Sequence, residues 1–190
     1  MSERTAYAAF VQAVQAEQGR PATRTDGPDP DPDPDPDAND GTGRGAAEAT
    51  CAALYRLADE LVGARLFTLM RFDASTGEAC RAWSSDTVHY PVSGTKPLPR
   101  NHWTGHVIEQ QRIFVANDLD GIAGVFADHA LIAALGCQSV VNVPIVLAGE
   151  VIGTVNCLHV AGHYTPERVQ AAEALVLPGL VALLSFWQRE

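Results

Sequence analysis

Two β-runs constrain this chain more than any other feature. CQSVVNVPIVL (137–147) and EVIGTVNCLHV (150–160) are rich in valine and isoleucine, and the tight turn Ala148-Gly149-Glu150 joins them. A link that short makes an antiparallel hairpin, since a parallel pair needs a crossover of a dozen or more residues. RLFTLMRF (65–72) and ACRAWSS (79–85), around the turn DASTGE, read as a second hairpin. A helix is predicted over 46–62, with Leu54, Leu57, Ala58 and Leu61 on its buried face and Gly63 at its end. Another closes the chain over 165–187, with Thr165 as N-cap and Pro166 in first position. Helices at both ends of a set of antiparallel strands predict an α+β domain. The two helices would cover one sheet face, and the long crossover would meet the other and leave a cavity.

Within the crossover, residues 86–101 read as irregular, HWTGHVIEQQ (102–111) as a short helix and RIFVAN (112–117) as a strand. Asp118–Gly124 reads as a loop and VFADHALIAALG (125–136) as a helix stopped by Gly136. Ahead of the domain, Tyr7, Phe10, Val11 and Val14 form one stripe on a predicted helix over 2–18. Residues 19–44 hold no large apolar side chain and include GPDPDPDPDPDAND (27–40). Proline removes alternate backbone donors there and holds each preceding aspartate extended, which excludes a paired strand. The carboxylates wind around a polyproline axis and do not converge on a metal. The expected organisation is an amphipathic helix over 1–18, a disordered or extended linker over 19–44 and a folded domain over 45–190.

The net charge of −10 is uneven: residues 1–40 set three arginines against nine carboxylates. The rest is mildly acidic and has no basic stripe, which argues against nucleic acid as a partner. Four cysteines make no CxxC pair, and MSERTAYAAF lacks the apolar run of a signal peptide. The run Leu175–Trp187 is short for a bilayer and is interrupted by Pro178-Gly179. A soluble, cytoplasmic protein with reduced thiols and no membrane partner is the expectation.

The run LGCQSVVNVPIVLAGEVIGTVNCLHVAGHYTPERVQAAEAL resembles the closing half of a GAF domain, and WTGHVIEQQRIFVANDL resembles an earlier part of the same pattern. The resemblance covers roughly residues 46–187 and keeps the family's order of motifs. It implies a central antiparallel sheet of five to six strands, helices packed on one face and a ligand pocket under loops on the other. It also implies sensing of a small molecule and dimerisation through the terminal helices. The ligand is a matter of pocket residues, so the fold alone leaves it open.

Strand alternation puts Val140, Asn142 and Pro144 on one face of the first run, and Ile152, Thr154, Asn156 and Leu158 together on the second. Asn142 and Asn156 are thus candidate ligand contacts, because a buried amide must find partners. Tyr90 and Lys96 lie in the long loop, where a cation could pair with a ligand anion. Trp103, His106, Asp128 and His129 complete the candidate ligand-binding set. His102/His106 and His159/His163 have the spacing of metal pairs, but no third ligand is placed beside them, and no metal or cofactor is assigned.

One branch of the resembled family, free methionine-R-sulfoxide reductase, is catalytic. Its nucleophile would fall near Ala133 and an upstream cysteine near Trp103, so Cys137 is out of register. The cyclic-nucleotide signature is missing, and the stretch 86–136 has no cysteine for a bilin. The function expected is reversible binding of a small polar metabolite, with no catalytic residue assigned. Two alternatives stand beside it: an enzyme using His106, Asp128 and His129 as acid–base groups, and an interaction module with a collapsed pocket.

Overall fold

The computed structural model describes residues 3–18, 41–92 and 94–187. The Pro-Asp tract and most of the expected linker lie outside the described residues. Six strands form one sheet: β1 (Leu66–Asp73), β2 (Glu78–Ser84), β3 (Lys96–Pro97), β4 (Phe114–Ala116), β5 (Ser139–Leu147) and β6 (Glu150–His159). Their order is β3-β2-β1-β6-β5-β4, and every neighbouring pair is antiparallel. Both expected hairpins form. The β5–β6 link holds Ala148 at φ 52° and Gly149 at φ 88°. Two left-handed residues in succession match the twist of a two-residue hairpin. Strand β3 lies in the segment read as irregular; a two-residue pairing has no periodicity to detect.

Alternation divides the apolar residues into two cores. Phe67, Leu69, Val141, Val143, Ile145, Val155 and Cys157 pack behind the sheet, against Leu54, Leu57 and Ala58 of α2 (Gly41–Leu61) and Ala182 and Leu183 of α7 (Val176–Trp187). Phe72, Val140 and Leu158 belong to a front core with Trp103, Val107, Ile122 and Ile132 of the crossover. Asn142, Thr154 and Asn156 share that front face, as expected, but Ile152 does not. The register shifts at Ile145/Val146, which pair with Gly153 and Val151. Ile152 is the extra residue of this bulge and packs with the back core, while Val151 takes the front position.

Helix α2 starts at Gly41, ahead of the expected Ala46. The closing helix is opened as expected: the Thr165 side chain accepts from Arg168 N, and Pro166 is the first residue of α6 (Pro166–Ala172). A 3₁₀ turn, Glu173–Leu175, then leads into α7. Pro178 has no N–H for the preceding turn and crowds its carbonyls, which accounts for the tightening. The continuous run Pro166–Phe186 is long and apolar enough to cross a membrane, although its inward side belongs to the core behind the sheet. Helix α1 (Glu3–Gln18) packs on α2 of the same chain through Ala6 and Phe10, with Tyr7 and Val14 beside them. Val11, expected in that stripe, is exposed.

The crossover departs most from expectation. The helix over 102–111 is α3 (His102–Thr104) followed by a π-helical turn, Gly105–Glu109. The expected loop after Asp118 holds α4 (Leu119–Ala123), because the Asp118 carboxylate accepts from Gly121 N. The helix expected over 125–136 shrinks to α5 (His129–Ala134).

At the far end of β6, the His159 and His163 rings stack with centroids 3.5 Å apart. His163 Nε2 bonds the Val62 carbonyl at 2.8 Å, while His159 Nδ1 is buried without a hydrogen-bond partner among the described residues. Burial, then His163 and two arginines, hold the His159 pKa below its ordinary 6.5. The unfolded chain therefore binds this proton more readily than the folded one. The linked stability is present above pH 6.5 and lost as pH falls through the depressed value. Urea midpoints measured against pH should decline below that point, and H159F should flatten the decline; an unchanged slope would remove His159 as its source.

Candidate functional site

A cavity of about 300 Å³ lies between the front of the sheet and the crossover. Its floor carries one row of polar groups. The Trp103 indole Nε1 donates to Asn142 Oδ1 at 2.9 Å, Asn142 Nδ2 to Asn156 Oδ1 at 2.7 Å, and Asn156 Nδ2 to Thr68 Oγ1 at 3.1 Å. The row crosses β5, β6 and β1, where Asn142 faces Asn156 and Asn156 faces Thr68 in register. Its direction is fixed from one end. An indole N–H can only donate, so Asn142 must turn its oxygen to Trp103 and its nitrogen to Asn156. The same logic passes to Thr68, whose hydroxyl accepts within the row and keeps its own proton for another partner. Trp103 is held in turn by Asn101, whose oxygen accepts from Trp103 N while its Nδ2 donates to the Val125 carbonyl.

A second polar group closes one side. The Arg81 guanidinium lies 3.7 Å from the Tyr90 ring centroid, a cation–π contact. Its Nη1 donates to the Pro91 carbonyl at 2.6 Å, and its Nη2 stands 3.8 Å from Asp128 Oδ2. The Tyr90 hydroxyl donates to the same carboxylate oxygen at 2.6 Å. Burial first, then the Asp128 charge, push the Tyr90 pKa well above its usual value, so the phenol stays protonated. Asp128 precedes α5 without capping it, which leaves its carboxylate for this contact.

The GAF domain family matches residues 46–183. This chain belongs to that family. No curated protein is similar enough to match it. Among solved structures, the GAF domain of a phosphoenolpyruvate-protein phosphotransferase from Coxiella burnetii is 13% identical, with a TM-score of 0.60 over 99% of this chain and 96% of that one. Free methionine-R-sulfoxide reductase from Neisseria meningitidis, solved with its substrate, is 12% identical, with a TM-score of 0.59 over 98% and 92%. A phycoerythrobilin-bound GAF domain from a cyanobacterial phytochrome is 13% identical, with a TM-score of 0.58 over 100% and 99%. At these identities the likeness establishes the fold. GAF domains are generally a small-molecule-binding, sensory fold, and some of these neighbours bind a bilin or are enzymes.

In this GAF domain, six of the eight candidate residues line the cavity: Tyr90, Lys96, Trp103, Asp128, Asn142 and Asn156. His106 and His129 do not. His106 Nε2 lies 2.9 Å from the Ile113 carbonyl, at a separate surface depression, and His129 Nδ1 lies 3.0 Å from the Phe126 carbonyl. Each ring is turned to local backbone, so sequence proximity to the site misled. Arg81 and Thr68 were not anticipated, and Thr154 was placed on that face without being nominated as a contact. The available signal for Arg81 was a charged residue inside a strand, two positions from the inward Ala79. Cys51, Cys137 and Cys157 are buried, and burial raises all three thiol pKa values.

Thr154 Oγ1 is buried and has no hydrogen-bond partner among the described residues. An unpaired buried hydroxyl is destabilising, and valine has nearly its shape. T154V should therefore stabilise the free domain by about 1 kcal/mol, seen as a melting temperature higher by about 2–4 °C. An unchanged or lower melting temperature would mean that the hydroxyl is already satisfied.

Proposed function

We propose that this GAF domain reversibly binds a small polar metabolite in the cavity over the sheet and acts as a sensory or regulatory module. The observation that carries this reading is the convergence of Arg81, Tyr90, Asp128 and the Trp103–Asn142–Asn156–Thr68 row on one cavity of about 300 Å³. That volume is at the small end of ligand sites. A collapsed interaction module would have a filled cavity without convergent polar groups. The enzyme alternative required His106 or His129 to meet a carboxylate inside the cavity, and both rings meet backbone carbonyls elsewhere. Native mass spectrometry of protein from its own host, followed by a thermal-shift screen of amino acids, oxo acids, nucleotides and purines, tests the proposal. A retained mass or a specific shift supports it. No mass and no shift in any class would defeat it.

The regulatory part rests on α7. Leu177, Val181 and Leu184 follow one another at i, i+4 and i+7 and are all exposed, Leu177 by 63%. The proposed homodimer uses this stripe, because Tyr7, Phe10 and Val14 are taken up against α2 within the chain. A ligand would shift such a dimer only by its differential affinity for two arrangements. Light scattering across micromolar concentrations should show a dimer that L177Q/V181Q/L184Q converts to monomer. A monomeric wild type would refute it. A cytoplasmic location, with residues 19–40 as a spacer ahead of α2, completes the proposal.

A further inference from the structure

The chemistry of the ligand can be taken further on the basis of that cavity reading. Arg81 carries five N–H donors, and its side chain is nine-tenths buried. One donor is well used, at the Pro91 carbonyl. The Nη2 contact to Asp128 is long, and Nε is buried with no hydrogen-bond partner among the described residues. Nε and Nη2 lie on the same edge of the guanidinium and point the same way, so the under-used edge is the one that grips a carboxylate with two parallel bonds. Tyr90 packs against the guanidinium and helps to hold it in place.

A second orphan lies on the same floor. In register, Arg81 faces Met70 and Met70 faces Thr154, so these residues form one row across β2, β1 and β6. Thr154 Oγ1 is also buried without a hydrogen-bond partner among the described residues. Buried polar groups in folded proteins are nearly always paired, and two exceptions in one row of one cavity point to a missing partner. The charge balance favours an anion: the lining holds Arg81 and Lys96 against the single carboxylate Asp128. The remaining wall is apolar and aromatic. Trp103 stands edge-on to Phe72 and to Phe126, with both pairs of centroids 6.2 Å apart.

We infer that the ligand is a small monocarboxylate with a compact apolar or aromatic body. Its carboxylate sits on the Nε/Nη2 edge of Arg81, with the Thr154 hydroxyl within the same row, and its body lies against Met70, Phe72, Trp103 and Phe126. Asp128 keeps its bond from Tyr90 and gives up the long contact to Arg81.

Matched probes test this on the full chain: phenylacetate, indole-3-acetate and 4-methylvalerate, each beside its primary amide, titrated by calorimetry and thermal shift. At least one acid should bind the wild type about tenfold or more tighter than its amide, the worth of a charge-assisted bidentate pair. R81M should abolish that preference while keeping the weak amide binding, and R81K, which keeps the charge without the fork, should recover little. Amides that bind the wild type as tightly as their acids would overturn the carboxylate assignment and leave the binding module intact. Binding by nucleosides or amines with none by the acids would do the same. No binding by any of these acids would overturn the carboxylate assignment, and no retained mass with no shift in any class of the wider screen would overturn the cavity reading as well. The comparison of acid and amide on the wild type stands even where R81M fails to fold.

Discussion

Gly153→Ala is expected to destabilise the domain by more than about 4 kcal/mol. A Cβ at this position would collide with the Met70 carbonyl oxygen and lie 2.8 Å from Leu183 Cδ1. The first neighbour is backbone of a central strand, bonded into the sheet on both sides, and cannot step aside. The second is a fully buried side chain of α7. Gly153 borders the β5–β6 bulge, where β6 comes close to β1 and lets α7 settle behind it. The added methyl group must separate either β1 from β6 or α7 from the sheet. Most overpacking substitutions destabilise by about 1–3 kcal/mol; a clash with fixed backbone belongs in the tail beyond about 4 kcal/mol. A domain of this size has about 5–15 kcal/mol in all. Gly179→Ala makes the contrast. Its Cβ would meet Ile145 Cδ1 at 2.7 Å and Val155 Cγ2 at 2.8 Å, side-chain atoms of the core and not fixed backbone, so the clash can be shared by repacking. Urea unfolding should rank G153A well below G179A, and G179A below wild type. A G153A protein that melts within about 3 °C of wild type, less than 2 kcal/mol by the usual scaling, would contradict the close approach.

The second large effect is expected at Asn142. Leucine there is close in size, so little cavity forms, but the polar row breaks in two places. Trp103 Nε1 loses its acceptor and Asn156 Oδ1 loses its donor, both in a buried setting. Each orphaned group is worth about 1–3 kcal/mol, and together about 3 kcal/mol is expected for N142L. That corresponds to a melting temperature lower by about 6–12 °C. The direction of the row supplies an internal control. W103F removes the donor that lost its acceptor, so W103F/N142L should be more stable than the sum of the two single changes predicts. A coupling of about 1 kcal/mol or more is expected for residues in direct contact. Strict additivity would mean that Trp103 and Asn142 do not share the bond.

Much of the domain was legible in the chain. The two hairpins were readable because a short turn between β-branched runs permits one pairing. Asn142 and Asn156 could be assigned to the cavity face because alternation is a local property, and the bulge lies beyond them toward the turn. Ile152, the inserted residue of that bulge, could not: one extra residue reverses the face of everything beyond it. The crossover resisted for a different reason. Strand β3 is two residues long, and α4 and α5 are five and six residues long. Elements that short are held by tertiary contacts and by caps such as Asp118, and leave little periodicity.

Sequence by itself determined the α+β class, the antiparallel strands, the helical cover behind them and the family, since each follows from periodicity, turn chemistry and ordered motifs along the chain. It also nominated most of the cavity's polar side chains. Tertiary structure decided which of those groups meet. Trp103 and Asn142 are 39 residues apart, Tyr90 and Asp128 are 38 apart, and Asn156 and Thr68 are 88 apart. Only strand order and the path of the crossover bring such pairs within a hydrogen bond. The same packing turned His106 and His129 away and set Arg81 on the wall with its Nε unpartnered among the described residues. A hydrogen bond depends on distances of tenths of an ångström, and those are fixed by how the layers pack.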